Sequence, residues 1–239
     1  MEKNNLDNKS WDPFINLKAD KMQISFYLIR KSLLAAVSEL KPKLHGSVLD
    51  LACGIMPYKE FLKNDLVKEY IGVDLEPTQY HHHVKPDYYW DGKTIPLEDN
   101  SVNFILTTEF LEHYFDTQYI LKEINRVLKP GGTFFFTVPN IWPIHEAPYD
   151  YHRFTPFALD EHFKNAQFSS WEIKPLGGFH YYLALSFALW NDFRLQQKHK
   201  KLVKPFLSAF IKFLIKKDKK TKLFQNGDMY SGLYGFVTK

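Results

Sequence analysis

Strand-like and helix-like stretches alternate along most of this chain, and no other feature narrows its folds so far. Val48 to Ala52, Tyr70 to Asp74, Tyr88 to Asp91, Val102 to Thr107, Thr133 to Val138 and Phe168 to Ile173 are short runs rich in β-branched, aliphatic and aromatic residues. Apolar residues at helical spacing fill intervals at Leu17 to Leu40, Pro57 to Lys68 and Phe110 to Leu128, the last with a break near Phe115-Asp116. Thr155-Pro156 opens another helix, an N-cap hydroxyl followed by proline at the first helical position. Such alternation calls for a doubly wound, mostly parallel sheet covered by helices on both faces. After Gly177-Gly178 the character changes. Tyr181 to Trp190 and Leu202 to Ile215 read as two helices with broad apolar faces, and Tyr230 to Val237 as a closing strand.

Composition sets outer bounds. With 239 residues, 45% of them hydrophobic and 24% charged, the chain can bury the core of one large domain. A net charge of +4 is no polycation, but the surplus is uneven. Lys198, Lys200, Lys201, Lys204, Lys212, Lys216, Lys217, Lys219, Lys220 and Lys222 lie close together, opposed only by Asp218. No basic stripe interleaved with aromatics lies in the first three quarters of the chain, so a nucleic-acid partner is not expected. The single cysteine, Cys53, cannot form an internal disulfide, which suits a reducing compartment. Met1 to Ser10 is polar, without an apolar signal core, and no apolar run approaches the ~20 residues that span a bilayer. A cytoplasmic location is expected, with contact at the inner membrane face as an option.

Val48-Leu49-Asp50-Leu51-Ala52-Cys53-Gly54 is a buried-type strand running into a small-residue turn, with helical spacing after Pro57. A strand, a tight turn and a helix together set backbone N–H groups beside a cleft at the strand's carboxyl end, where open α/β sheets hold nucleotide-like ligands. Asp74 ends the next strand and Asp91 the one after.

In this order the pieces resemble the class I S-adenosylmethionine-dependent methyltransferases, in particular the methyltransferase type 11 group. The first motif is Val48 to Gly54 and the second Tyr70-Ile71-Gly72-Val73-Asp74. Asp91 to Pro96, Asn103 to His113 and Leu128-Lys129-Pro130-Gly131-Gly132 follow in register, and the match covers roughly residues 45 to 175. The resemblance implies a Rossmann-like form of the expected sheet, with a helical insertion before the last strand. It divides the chain into a polar, partly disordered stretch at 1–16 and a single methyltransferase domain at 17–239. Within that domain the cofactor-binding core is about 45–175, a helical lid or anchor about 179–222, and the last strand about 229–238.

S-adenosylmethionine is the cofactor that the resemblance implies. Asp50, Ala52, Cys53 and Gly54 would bring backbone to its methionine part. Asp74 and Leu75 would meet the ribose, Asp91 and Gly92 the adenine, and Thr107, Thr108 and Glu109 the sulfonium end. Two positions depart from the family pattern: Met56 stands where a third glycine is common, and Asn103 where an aspartate is common.

Methyl transfer from a sulfonium is an in-line displacement, so alignment and water exclusion matter most, and a general base helps a hydroxyl or protonated amine. The loop His145-Glu146-Ala147-Pro148-Tyr149-Asp150-Tyr151-His152-Arg153 follows the fifth strand and should share the cofactor's rim. Pro148 to Thr155 resembles a stretch in relatives linked to glycan or surface-polysaccharide synthesis. We take His145 and then Asp150 as candidate bases, and His113, Tyr149, Tyr151 and Arg153 as acceptor-binding candidates. Arg153 either anchors an anionic group or pairs with Asp150. The acceptor class is a small molecule, a sugar or a lipid-linked group. His81-His82-His83 invites a metal, but three consecutive side chains do not converge easily and no nearby acidic spacing supports them, so no metal is expected.

Tyr181 to Lys222 reads as a substrate lid, a dimerisation surface or a membrane-surface anchor, since lysines beside an aliphatic and aromatic face suit anionic headgroups. Two rival functions remain. A non-catalytic binding or scaffold protein would use the same fold. A nicotinamide-dependent oxidoreductase would want a fuller glycine motif than the single Gly54 here.

Overall fold

The computed structural model describes residues 12–75, 84–219 and 224–239. Its strands are β1 (Gly46–Leu51), β2 (Val67–Leu75), β3 (Tyr88–Trp90), β4 (Val102–Thr108), β5 (Leu128–Pro139), β6 (Ser170–Pro175) and β7 (Gly232–Thr238). They form one seven-stranded sheet in the order β3-β2-β1-β4-β5-β7-β6. The pairs from β3 to β5 are parallel, and β7 enters antiparallel between β5 and β6. The chain winds outward through β2 and β3, then returns to place β4 beside β1. That reversal makes a crevice at the carboxyl ends of β1 and β4, where doubly wound sheets bind ligands. The α/β architecture matches the sequence expectation.

Alternation along β5 shows why the middle of the sheet is apolar on both faces. Phe134 and Phe136 enter one core with Leu49, Leu51 and Ile105, while Phe135 enters the other with Val48, Phe104 and Leu106. Successive side chains of a strand point to opposite faces, so a doubly covered strand reads as a continuous apolar run. The first core is closed by α3 (Thr117–Val127) and α4 (Pro156–Asn165), the second by α1 (Ile24–Leu40) and the short α2 (Lys59–Leu62). Asp116 caps α3 by accepting from the Tyr119 N–H, and Thr155 caps α4 by accepting from that of Ala158. Both breaks were visible in the sequence.

Two helices are shorter than their patterns predict. The helix expected at Pro57 to Lys68 stops at Leu62, because Asn64 competes for the backbone. Its Oδ1 accepts from the N–H groups of Leu66 and Val67, and its Nδ2 donates to the carbonyls of Lys41 and Leu44. The residues released extend β2 to nine. The helix expected from Leu17 starts at Ile24, where the Ser25 N–H finds its acceptor in Asp192 of α5 (Phe179–Phe193). Lys129 to Gly132, expected to follow a helix end, already belongs to β5.

The insertion before β7 is a helical pair, α5 and α6 (Gln197–Lys217). Leu207, Ile211 and Leu214 of α6 pack with Ala184, Leu185 and Ala188 of α5 and with Leu28 of α1. Among the described residues no helix is long and apolar enough to cross a membrane. The triplet His81-His82-His83 lies outside the described residues.

Candidate active site

The turn after β1 is held in an unusual backbone state. Ala52, Gly54 and Met56 have φ of 57°, 49° and 50°, a region that only glycine enters without strain. A left-handed non-glycine residue costs of order 1 kcal/mol and persists where its surroundings hold it. Here the holders are visible. Asp74, at the end of β2, accepts the Gly54 N–H at 2.7 Å on one oxygen and the Leu75 N–H at 2.7 Å on the other. Met56 is buried, and its sulfur lies where a side chain at Gly72 would be: a Cβ there would stand 2.6 Å from it. Met56 thus keeps the left-handed geometry that a glycine would supply and closes the turn from beneath.

Across the crevice, Glu109 follows β4 with φ of 52°, its N–H donating to the Thr137 carbonyl and hydroxyl oxygens. The Thr137 hydroxyl donates in turn to Glu109 Oε1 at 2.9 Å. Between these rims lies a cavity of about 640 Å³, lined by Ala52, Gly54, Asp74, Leu75, Trp90, Gly92, Glu109, Phe110, His113, Tyr114, His145, Glu146 and Tyr149. Trp90 and Tyr114 stack with centroids 6.3 Å apart and Phe110 tilts against both, an apolar wall fastened where the Tyr114 hydroxyl donates to the Gly92 carbonyl at 2.5 Å.

At the far end two imidazoles meet edge to face, His113 and His145, with ring centroids 4.6 Å apart. His113 Nδ1 lies 2.8 Å from the Tyr149 carbonyl, which can only accept, so Nδ1 carries the proton and Nε2 is bare in the neutral ring. His145 is anchored by Asp150 Oδ2, 3.2 Å from its N–H and 3.3 Å from its Nδ1. Asp150 is itself clamped by both guanidinium nitrogens of Arg153, at 2.6 and 2.9 Å.

Charge is concentrated behind this end. Burial pushes the Glu109 carboxyl up to about 7, and pushes Glu112 well above the usual carboxylate range with Glu109 adding repulsion. The Arg153 guanidinium holds Asp150 well below that range. Burial lowers His113.

The cavity gathers Ala52, Gly54, Asp74, Leu75, Gly92, Glu109, His113, His145 and Tyr149 from the sequence candidates. Others sit elsewhere, each for a physical reason. Asp50 is on the opposite face of β1, accepting from the Tyr70 hydroxyl at 2.7 Å, with its carboxyl raised to about 7 by burial. The Cys53 thiol is buried, pushed up by desolvation. Asp91 is exposed, and its Oδ1 accepts from Lys93 and Thr94 N–H groups, which lowers it and spends it on the loop. Thr107 is buried and Thr108 half-buried, and neither lines the cavity. Tyr151 packs on Phe115, and Arg153 is consumed by Asp150 and by the His152 and Trp142 carbonyls. Asp150 itself is depressed by Arg153 and is held by two residues, Arg153 and His145, which suits an anchor better than a base. Asn103 replaces the family's aspartate without loss, since its Oδ1 accepts from the Ser47 N–H and from Lys129. Sequence reasoning missed Trp90, Phe110, Tyr114 and Glu146; for Trp90 the signal was there, one residue before Asp91.

The cavity fits S-adenosylmethionine. A Cβ added at Gly54 would meet nothing within 4 Å, so the turn leaves open space for the methionine part. Asp74 is a carboxylate acceptor on the rim, the group type that meets ribose hydroxyls, and the aromatic wall offers a flat apolar face for adenine. A volume of this size is typical of small-molecule sites.

A family model described as a methyltransferase domain matches residues 49–136. A relative from Mycolicibacterium smegmatis (strain ATCC 700084 / mc(2)155), named a probable S-adenosylmethionine-dependent methyltransferase, is 31% identical over 99 residues, 39% of this chain and 38% of that protein. A demethylmenaquinone methyltransferase of Staphylococcus saprophyticus is 30% identical over 107 residues, 40% of this chain and 46% of that one. The match therefore spans less than half the length of these curated relatives. Among solved structures, a SAM-dependent methyltransferase from Thermotoga maritima superposes with a TM-score of 0.56 at 18% identity, covering 96% of this chain and all of that one, a likeness of fold. Residues 49–136 thus match a methyltransferase domain of the type 11 group, and the fold is that of a solved S-adenosylmethionine-dependent methyltransferase.

Proposed function

We propose that this chain moves a methyl group from S-adenosylmethionine to a small-molecule, sugar or lipid-linked acceptor that approaches from an anionic membrane surface. One observation carries the reading: a single cavity joins the Gly54–Asp74 cradle to the His113–His145 pair. The bound cofactor supplies an electrophilic methyl carbon on a sulfonium. The protein's own part is alignment. Asp74 and the left-handed turn fix one end, and Trp90, Phe110 and Tyr114 exclude water along the middle. At the acceptor end Asp150 and the Tyr149 carbonyl each hold an imidazole by Nδ1, so both Nε2 atoms keep a lone pair there. Glu109 lines the same end.

Calorimetry with S-adenosylmethionine and S-adenosylhomocysteine tests this. Binding of both is expected, and Asp74→Ala is expected to weaken it about 100-fold, the loss of two charge-assisted hydrogen bonds. A folded protein that binds neither ligand would overturn the reading, and preference for a nicotinamide dinucleotide would replace it.

The membrane part rests on the helical pair. Phe187 and Trp190 of α5 and Leu202, Phe206, Phe210 and Phe213 of α6 are exposed, Phe206 by 76%. Phe210 touches both Phe187 and Phe213, making one aromatic patch. The α6 sequence carries seven lysines and no acidic residue. Aromatic and aliphatic side chains dipping below headgroups, with lysines at the anionic surface, explain the combination. The acceptor of the staphylococcal relative, a demethylmenaquinone, agrees in character. Phe206→Glu combined with Phe213→Glu should release the protein from phosphatidylglycerol vesicles in co-sedimentation, and added salt should weaken the parent's binding. Equal recovery with neutral phosphatidylcholine vesicles would count against it.

A further inference from the structure

We infer that Glu112, His113 and His145 form a binding site for one divalent first-row transition-metal cation at the acceptor end of the cavity. One donor atom from each residue lies within 4.8 Å of the other two. Bonds of about 2.0–2.2 Å would bring such donors to roughly 3–4 Å from one another, a closure that small rotamer adjustments supply.

The second observation is independent of the spacing. Glu112 is 0% exposed, and neither carboxylate oxygen has a hydrogen-bond partner. His113 Nε2, bare in the neutral ring, lies 3.6 Å from Oε1 and gives it no proton. A buried carboxylate with no donor is costly unless it is protonated or holds a cation. Its backbone is firmly placed meanwhile, since the Glu112 carbonyl accepts from the Tyr151 and His152 N–H groups. A fixed backbone therefore holds a carboxyl group without a hydrogen-bond donor beside the His113 ring.

The imidazoles are prepared in the way ligating histidines are. His113 gives Nδ1–H to the Tyr149 carbonyl and His145 gives Nδ1–H to the Asp150 carboxylate, which leaves Nε2 of each as the lone-pair donor. Asp150 is held in turn by Arg153, so the orienting carboxylate stays ionised. Two imidazoles and one carboxylate favour the Zn²⁺, Fe²⁺ or Mn²⁺ class over Mg²⁺ or Ca²⁺, and three protein ligands leave positions open. His113 and His145 both line the cavity, and Glu112 is buried beside them. This consequence rests on the methyltransferase reading: an ion there would select acceptors with an oxygen donor, because a coordinated hydroxyl loses its proton more readily than a free one. The ligand set uses none of His81, His82 and His83, and it departs from the expectation of no metal.

The test uses the full chain after chelator treatment, titrated with Zn²⁺, Mn²⁺ and Co²⁺. One equivalent bound per chain by elemental analysis, with a rise in Tm, is expected. Glu112→Gln, which keeps the shape and removes a buried charge, should fold, lose the metal-dependent Tm rise and weaken binding about 100-fold or more, since even supporting groups are worth 10–100-fold. His113→Gln and His145→Gln should do the same. The triple variant His81→Ala, His82→Ala, His83→Ala should keep its equivalent. The inference is overturned if that triple variant loses the metal while Glu112→Gln retains it, or if no cation binds. S-adenosylmethionine calorimetry on the same samples separates the two claims. Cofactor binding without metal sinks only this inference, and metal without cofactor sinks only the methyltransferase reading.

Discussion

Replacing Arg153 by methionine is expected to destabilise the protein by about 3–5 kcal/mol, the usual cost of removing one partner from a buried ion pair. Asp150 is 2% exposed in its side chain and takes both guanidinium nitrogens of Arg153. Without them it is a buried carboxylate beside two more, Glu109 and Glu112, for which Arg153 is the stabilising cation. Chemical denaturation should show the loss as a lower midpoint. Adding Asp150→Leu to Arg153→Met should recover much of it, because replacing both partners by apolar groups removes the orphaned charge. A single variant as stable as the parent would mean that the pair contributes no anchoring. The sign at low pH follows from Asp150 being depressed in the fold. Its contribution is present at neutral pH, where unfolded aspartate is also ionised, and is lost as pH falls through the folded value.

Asp50→Asn is expected to act in the opposite direction. Asp50 is buried with one hydrogen bond, from Tyr70, and burial raises it to about 7. A carboxylate raised on folding binds its proton more tightly in the native state, so wild-type stability falls as pH rises from about 4 to about 7. The asparagine keeps an oxygen for the Tyr70 hydroxyl and carries no charge. Its gain should therefore be absent below pH 4 and grow to roughly 4 kcal/mol at most at pH 8, about three units at 1.36 kcal/mol each. Thermal unfolding of parent and variant across that range checks it. A gain independent of pH would show that Asp50 is not ionised in the fold over this range.

The two variants concern neighbouring parts of one design. The left-handed positions at Ala52, Met56 and Glu109 are strained, and groups from elsewhere in the chain hold the turns that contain them: Asp74 through the Gly54 N–H, the Met56–Gly72 packing, and Thr137. Stability is given up where ligands bind and recovered in the doubly covered strands β1, β4 and β5. That division is typical of sites whose geometry must precede the ligand.

Much of this was legible in the residues in order. Strand positions followed from apolar runs because a doubly covered strand has no polar face to confuse its pattern. Asp116 and Thr155 marked helix starts because a capping side chain acts within its own turn. Asp74, Gly54 and Glu109 were legible as rim residues because strand ends in this topology share one edge.

What lay beyond the sequence depended on partners distant in the chain. Asn64 shortened α2 by binding the end of α1, and Asp192 set where α1 begins. Asp91 and Arg153 were plausible ligand groups until the fold supplied nearer partners for each. The alternation, the strand ends and so the edge where chemistry happens rest on local periodicity and capping, and residue order is enough to place them. Which side chains face that edge with unspent donors and acceptors depends on contacts between segments far apart in the chain. Those contacts close Trp90, Phe110 and Tyr114 into one wall, and they set Glu112 unpartnered beside His113 and His145. Hydrogen-bond satisfaction is a property of three-dimensional neighbours, and no spacing along the chain records it.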